Sequence, residues 1–271
     1  MSLLEFFHLK ESPFSTTVDS RFFYKTQQHA EALVRLKHAA EHMKGLAVLV
    51  GDIGTGKTTL ATRLLEDLET EEYEAALLVV IHAAVTSEWM LRKMALQLEI
   101  PSPADTKIEL LTQLSRRLQE IFESGKKAVV LIDEAQMLRS RDLMEDFRGL
   151  LNIELDGRKA VTFILFGLPE LDMVLALDPP LHQRVAMRYQ LTPLDAAGTE
   201  AYVNHRLQVA GAKNALFKPA TFPLIARYSQ GIPRLINTIC DNALLEGYLR
   251  KQDRIEPDLI NEVARDLVLA K

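Results

Sequence analysis

A glycine-rich segment between two apolar segments constrains the fold of this chain more than any other feature. Residues 51–58 read Gly-Asp-Ile-Gly-Thr-Gly-Lys-Thr and match the pattern G-x-x-x-x-G-K-[ST]. Residues 46–50 form a short apolar run of the kind found in buried strands, and residues 57–68 have helical periodicity. A strand, a glycine turn and a helix in this order predict a loop whose backbone N–H groups point at phosphate oxygens.

The residues of this loop are the first candidates for a nucleotide site. We expect Lys57 to reach the β- and γ-phosphates and the Thr58 hydroxyl to ligate Mg²⁺. The sequence has no Asn-Lys-x-Asp segment of the kind that GTPases use to recognise guanine, which favours ATP. The predicted nucleotide-binding residues are those of the loop and the first helical turn, namely Gly51, Asp52, Ile53, Gly54, Thr55, Gly56, Lys57, Thr58 and Thr59.

A second candidate element is an apolar run that ends in two carboxylates. Residues 128–132 are apolar, and Asp133 and Glu134 follow directly. Ligands of open α/β folds bind at the carboxyl ends of the strands, so a buried strand here would place both acids at that edge. We expect Asp133 to hold Mg²⁺ through water and Glu134 to act as the general base that polarises the attacking water. The pair indicates hydrolysis in addition to nucleotide binding.

Strands and helices alternate through the middle of the chain and then give way to helices alone. Apolar runs predict strands at residues 46–50, 77–81, 128–132, 161–166 and 186–191. Such alternation is typical of parallel βαβ units whose sheet is covered on both faces. Beyond residue 193, four segments are predicted as helices, at residues 195–209, 219–228, 233–249 and 257–268.

This pattern predicts an α/β fold class and a domain organisation. We expect an α/β core at residues 46–193, with a parallel five-stranded sheet sandwiched by helices, followed by a small all-helical lid domain at residues 194–271. Residues 1–45 form an N-terminal arm and a first long helix, which we assign to the core domain.

Composition excludes several classes of protein. The chain has 32 Lys and Arg against 37 Asp and Glu, and its net charge of −5 argues against a constitutively basic nucleic-acid module. Cys240 is the single cysteine, which rules out an internal disulfide and favours a reducing compartment. The longest near-continuous apolar stretch, residues 75–85, is about half of what a membrane span needs, and the N-terminus has no leader pattern. We expect a cytoplasmic protein that reaches the inner membrane only through a partner.

Several further segments of the chain are specific enough to compare with a known family. The most specific are the Pro13-Phe14 segment and residues 231–237, which read Gly-Ile-Pro-Arg-Leu-Ile-Asn; others lie at residues 132–136, 168–171 and 183–185. These segments resemble the AAA+ ATPases of the ExeA type, which are general secretion pathway protein A-like. The resemblance extends over about residues 4–268. Full-length relatives usually continue into a membrane span and a peptidoglycan-binding domain, so the resemblance implies a short form without either.

The resemblance also implies roles for three arginines. Arg234 matches the sensor-2 arginine, which reaches from the helical lid to the γ-phosphate and couples nucleotide state to lid angle. Arg184 matches the arginine finger that one subunit supplies to its neighbour's ATP, and Arg188 is an alternative to it. Leu168 stands where the family often has a polar sensor-1 residue, so water positioning is left to another group.

Together, the motifs and the resemblance imply a Mg²⁺-dependent AAA+ ATPase that forms a homo-oligomer with ATP, as a ring or a filament. We expect it to couple ATP binding and hydrolysis to the assembly or energising of a bacterial envelope secretion, pilus or export machine, with a protein of that machine as its partner. The alternative is an ATP-dependent DNA-binding transposition regulator of the TniB/MuB type, against which the acidic net charge counts. A nucleotide-gated scaffold without turnover is a third interpretation, against which the Asp133-Glu134 pair counts.

Overall fold

The computed structural model describes residues 1–15, 17, 19–68, 71–82 and 85–269. Its strands are β1 (Leu46–Gly51), β2 (Tyr73–Val79), β3 (Lys127–Asp133), β4 (Glu154–Leu155), β5 (Arg158–Lys159), β6 (Val161–Gly167) and β7 (Val185–Leu191). Its α-helices are α1 (Leu3–Phe6), α2 (Gln27–Glu41), α3 (Lys57–Leu68), α4 (Ser87–Gln97), α5 (Lys107–Glu123), α6 (Arg141–Leu150), α7 (Leu171–Leu175), α8 (Pro179–His182), α9 (Ala196–Val209), α10 (Phe222–Ser229), α11 (Pro233–Leu249) and α12 (Pro257–Asp266). Short 3₁₀ turns lie at Ser20–Phe22, Ala135–Met137 and Pro219–Thr221.

Five parallel strands form the main sheet in the order β2-β3-β6-β1-β7. Every residue of β1 and β6 is buried, as is every residue of β3 after Lys127. Strands buried along their whole length need cover on both faces, which the flanking helices provide. The predicted α/β fold, with five parallel strands and a helical region after them, is confirmed. The carboxyl ends of β1 and β3 lie at the same edge of the sheet, on either side of β6.

The second strand is displaced from its predicted position. It covers Tyr73–Val79, whereas the apolar pattern predicts residues 77–81. β2 is an edge strand that pairs with β3 along its whole length, from Tyr73 opposite Lys127 to Val79 opposite Asp133. An edge strand is partly exposed and accepts polar residues such as Glu74, which forms ion pairs with Arg117 and Lys126. A prediction based on apolar runs therefore misses the polar residues of an edge strand such as β2.

A small antiparallel hairpin between α6 and β6 was not predicted from the sequence. Its strands β4 and β5 pair Glu154 with Lys159 and Leu155 with Arg158. The two residues between them, Asp156 and Gly157, have φ values of 48° and 73°. Positive φ at both central residues is the requirement of the two-residue hairpin turn, and Asp-Gly is a preferred sequence for it. The Asp156-Gly157 dipeptide was the feature of the sequence that could have predicted this hairpin.

The chain divides into two compact units, each built from separate segments. One contains residues 27–52 and 60–191 and holds the sheet. The other contains residues 1–26, 53–59 and 192–271 and holds the C-terminal helices. The domain boundaries drawn from the sequence, at residues 45/46 and 193/194, stay a prediction.

The N-terminal arm packs within the helical unit. Phe14 and Phe22 are buried there, and Phe14 meets Phe217 edge to face. The buried guanidinium of Arg206 donates hydrogen bonds to the carbonyls of Pro13 and Ser15 and lies over the ring of Phe22. A buried cation needs its donors satisfied, and the backbone of the arm satisfies them. Arg206 therefore holds the arm against α9.

None of the helices in the described ranges is both long enough and apolar enough to cross a bilayer.

Asp178 links α8 to α6, and substitutions of Asp178 test how much this link contributes to stability. Its carboxylate is 4% exposed, caps α8 by accepting the Leu181 N–H at 3.0 Å, and accepts from Arg148 Nε at 3.1 Å. We expect Asp178→Ala to lower the free energy of unfolding by about 2 kcal/mol, because a helix cap is lost and Arg148 loses its carboxylate. Asp178→Asn keeps a capping oxygen and should lose about half as much. Chemical denaturation measures both variants, and equal losses would show that the cap contributes nothing.

Candidate functional site

The glycine-rich loop lies where the sequence predicts it, between a buried strand and a helix. β1 ends at Gly51 and α3 begins at Lys57. Gly54 and Gly56 have φ values of 82° and 99°, in the left-handed region that glycine adopts without strain. Such a turn lets successive N–H groups face the same side, which is the geometry of an anion-binding loop.

One glycine of this loop also approaches the C-terminal helices closely. A Cβ on Gly54 would lie 2.8 Å from Cβ of Arg234 and 3.0 Å from Cγ2 of Ile232. The backbone N–H of Arg234 donates to the Gly54 carbonyl at 3.3 Å. The structure therefore brings the predicted sensor-2 residue, at the second position of α11, into direct contact with the phosphate loop. The Arg234 side chain itself is exposed.

The loop residues differ in exposure in a way that suits a phosphate site. Thr55 and Lys57 are buried, Lys57 at 6% exposure, whereas Asp52, Ile53 and Thr58 are exposed. Lys57 is the first residue of α3, where its charge adds to the positive end of the helix dipole. A cation at that position gains from a bound anion, so a phosphate group fits the loop.

Asp133 is the last residue of β3 and is 1% exposed. Its Oδ1 accepts the backbone N–H of Glu134 at 2.9 Å. A strand end places it at the same sheet edge as Gly51 of the phosphate loop. The carboxylate of Asp133 is a hard oxygen donor of the type that Mg²⁺ prefers, and the hydroxyl of Thr58 is another donor of this type.

Glu134 begins a tight turn after β3 and has a partner that the sequence analysis missed. Its φ of 56° is left-handed, which is unusual for a residue with a side chain. Gln136 Nε2 donates to Glu134 Oε2 at 2.6 Å, and Gln136 Oε1 accepts the backbone N–H of Leu168 at 3.0 Å. The sequence feature that could have predicted this partner is a glutamine among otherwise apolar residues, two positions after the acid pair.

The two candidate arginine fingers differ in how firmly they are held. Arg184 lies in the turn before β7, and its Nη1 donates to the Arg148 carbonyl at 3.3 Å. Arg188 lies on β7 and forms a two-point ion pair with Asp172, at 3.3 Å and 2.7 Å. β7 is an edge strand of the sheet. Both arginines belong to the sheet unit.

Comparison with known proteins agrees with this geometry. Residues 40–175 match the AAA domain family. General secretion pathway protein A of Aeromonas hydrophila is 38% identical over 254 residues, which are 93% of this chain and 46% of that protein. The chain thus spans about half the length of this curated relative.

Solved structures share the fold at low sequence identity. Cdc6p from Pyrobaculum aerophilum is 22% identical with a TM-score of 0.73, over 94% of this chain and 70% of that one. The structure of Drosophila ORC bound to DNA is 16% identical with a TM-score of 0.72, over 98% of this chain and 66% of that one. The family match covers half of the chain and includes both the phosphate loop and the Asp133-Glu134 pair. The chain is therefore related to General secretion pathway protein A and belongs to the AAA domain family of P-loop ATP hydrolases.

Proposed function

We propose that this chain is a Mg²⁺-dependent ATPase that oligomerises with ATP and drives the assembly or energising of a bacterial envelope secretion, pilus or export machine. The observation that carries the proposal is the 38% identity to General secretion pathway protein A over 93% of the chain. The same proposal places the protein in the cytoplasm, at the inner membrane only through a protein partner of that machine.

The proposed reaction uses the loop for binding and the strand end for hydrolysis. The N–H groups of residues 51–58 and the ammonium of Lys57 bind the β- and γ-phosphates. The Thr58 hydroxyl and the Asp133 carboxylate would hold Mg²⁺, which would supply positive charge to offset that of the phosphates. The Glu134 carboxylate accepts a proton from water while the water oxygen attacks the γ-phosphorus. The bond from that phosphorus to the bridging oxygen breaks, and the products are ADP and phosphate.

Arg234 links this reaction to the helical lid. Its backbone N–H donates to Gly54, so the phosphate loop and the start of α11 are joined by a hydrogen bond. A shift of the loop on losing the γ-phosphate changes that contact. The exposed Arg234 side chain then loses its anionic partner, and both effects favour a different position of α11.

Arg184 is the better candidate for the finger that completes a neighbour's site. Its hydrogen bond to the Arg148 carbonyl is single and long, whereas Arg188 forms a two-point ion pair with Asp172. Release of Arg184 toward a neighbour costs less, since a two-point pair between charged groups is the stronger interaction. This assignment makes the monomer a poor ATPase.

Binding and hydrolysis should separate in two variants. We expect Lys57→Ala to abolish measurable ATP binding, because the charge that faces the phosphates is lost. Glu134→Gln should bind ATP normally but lose about 10²–10⁴ in kcat, because the base is removed while the loop is intact. Calorimetry measures binding and phosphate release measures turnover. Glu145→Gln, which alters an exposed glutamate on α6, is the matched control and should resemble the parent.

Two results would contradict these expectations. Turnover of Glu134→Gln at the parental rate would exclude Glu134 as the base. Tight ATP binding by Lys57→Ala would exclude the loop as the phosphate site.

A finger supplied by the neighbour can be detected by mixing inactive variants. Arg184→Ala keeps its own P-loop and Glu134, and Glu134→Gln keeps Arg184. We expect Arg184→Ala alone to lose about 10³-fold or more in kcat and Glu134→Gln alone to lose about 10²–10⁴ in kcat, and we expect an equimolar mixture to recover activity at the hybrid interfaces. Arg188→Ala should keep most of the parental rate. Full activity of Arg184→Ala, or a mixture no better than its parts, would count against the assignment.

Oligomer formation is the third test, and it also distinguishes the DNA-binding alternative. Light scattering of the Glu134→Gln protein should show a defined particle with ATP and without DNA, because hydrolysis no longer empties the site. Assembly that requires both ATP and duplex DNA, with affinity that falls steeply with salt, would instead favour the transposition regulator. Equal particle mass with and without ATP would contradict both.

A further inference from the structure

Gln136 occupies a buried position next to the proposed catalytic base. It is 2% exposed and lies in the 3₁₀ turn that follows Glu134. The turn is closed by a hydrogen bond from Met137 N–H to the Glu134 carbonyl at 2.9 Å. Arg139 Nε donates to the Gln136 carbonyl at 3.3 Å, which holds the turn from its far side.

The side-chain amide of Gln136 bridges Glu134 and Leu168, and its hydrogen bonds allow only one orientation of the amide. The backbone N–H of Leu168 is a donor, so it must face the amide oxygen, at 3.0 Å. The amide nitrogen then faces Glu134 Oε2, at 2.6 Å, and a carboxylate is an acceptor. A flipped amide would place donor against donor and acceptor against acceptor. The bridge therefore runs from the end of β6 through Gln136 to the carboxylate of Glu134.

The end of β6 is shaped to accept this glutamine. A Cβ on Gly167 would lie 2.9 Å from Gln136 Oε1 and 3.3 Å from the Gln136 backbone nitrogen. Any larger residue would displace the amide from its place. Leu168 cannot offer a polar side chain, and its backbone N–H serves as the anchor instead.

We propose that Gln136 is the positioning residue for Glu134, holding one carboxylate oxygen so that the other faces the attacking water. This inference rests on the proposed function and deepens it, since it names the group that orients the base. With Oε2 bound to Gln136, Oε1 is the oxygen that accepts the proton of the water. The anchor at Leu168 fixes the carboxylate relative to β6, so the base keeps its direction between turnovers.

The proposal predicts a loss of kcat with little change in ATP binding. Gln136→Leu keeps the size of the side chain and removes both hydrogen bonds. Gly167→Ala leaves Gln136 in the chain and displaces its amide. We expect each to lower kcat about 10- to 100-fold and to change KM and Kd for MgATP less than about threefold. Gln119→Leu removes a Gln–Glu hydrogen bond of 2.8 Å on the exposed face of α5 and is the matched control.

A double-variant cycle separates positioning from a structural effect. If Gln136 acts through Glu134, adding Gln136→Leu to the Glu134→Gln protein should change the residual kcat less than about twofold. A structural defect would multiply with the loss from Glu134→Gln. The Gly167→Ala variant, combined in the same way, gives an independent cycle if Gln136→Leu folds poorly.

The outcomes distinguish this inference from the proposed function. A parental kcat for both Gln136→Leu and Gly167→Ala, with Glu134→Gln impaired, would overturn the inference alone. A rise in kcat would also overturn it, because the bridge would then restrain the base. If Glu134→Gln itself turns over normally, the assigned base is wrong and the proposed function fails first.

Discussion

The parallel pairing of β1, β6 and β3 is the constraint on which the rest of the site depends. The three strands are buried along almost their whole length and share one direction. Their carboxyl ends therefore meet at one edge, which places the start of the phosphate loop, the Asp133-Glu134 pair and the Leu168 anchor there. Substitutions that disturb the register of these strands would act on all three features together.

At two places in this protein, a glycine allows another residue to approach the main chain closely. Gly54 permits the phosphate loop to lie against the start of α11, and Gly167 permits Gln136 to lie against the end of β6. In both places a carbonyl or an N–H of the main chain makes the contact. The contact between Gly54 and Arg234 joins two main-chain groups, whereas the contact at the end of β6 joins the Leu168 N–H to the side-chain amide of Gln136. The phosphate loop is thus tied to the start of α11, and the turn after β3 is tied to the end of β6.

Much of the fold could be predicted because its signals are local. The loop needs contiguous glycines and a lysine, and the buried strands need contiguous apolar residues, so β1, β3 and β6 were found where they are. The edge strand β2 was displaced because its exposed residues are chosen by pairing with β3 and by ion pairs of Glu74. The hairpin of β4 and β5 was missed because two-residue strands have too few residues for a period to show.

The sequence alone determines three features, which are the nucleotide loop, the acid pair and the α/β class. Each of them depends on residues that are neighbours along the chain. Tertiary structure decided which distant groups meet. Gln136 gains its bridge only because the turn after β3 folds beside the end of β6, and Arg234 reaches Gly54 only because α11 begins at the loop. It also gives the two arginines different partners, since Arg184 donates to the Arg148 carbonyl whereas Arg188 forms an ion pair with Asp172.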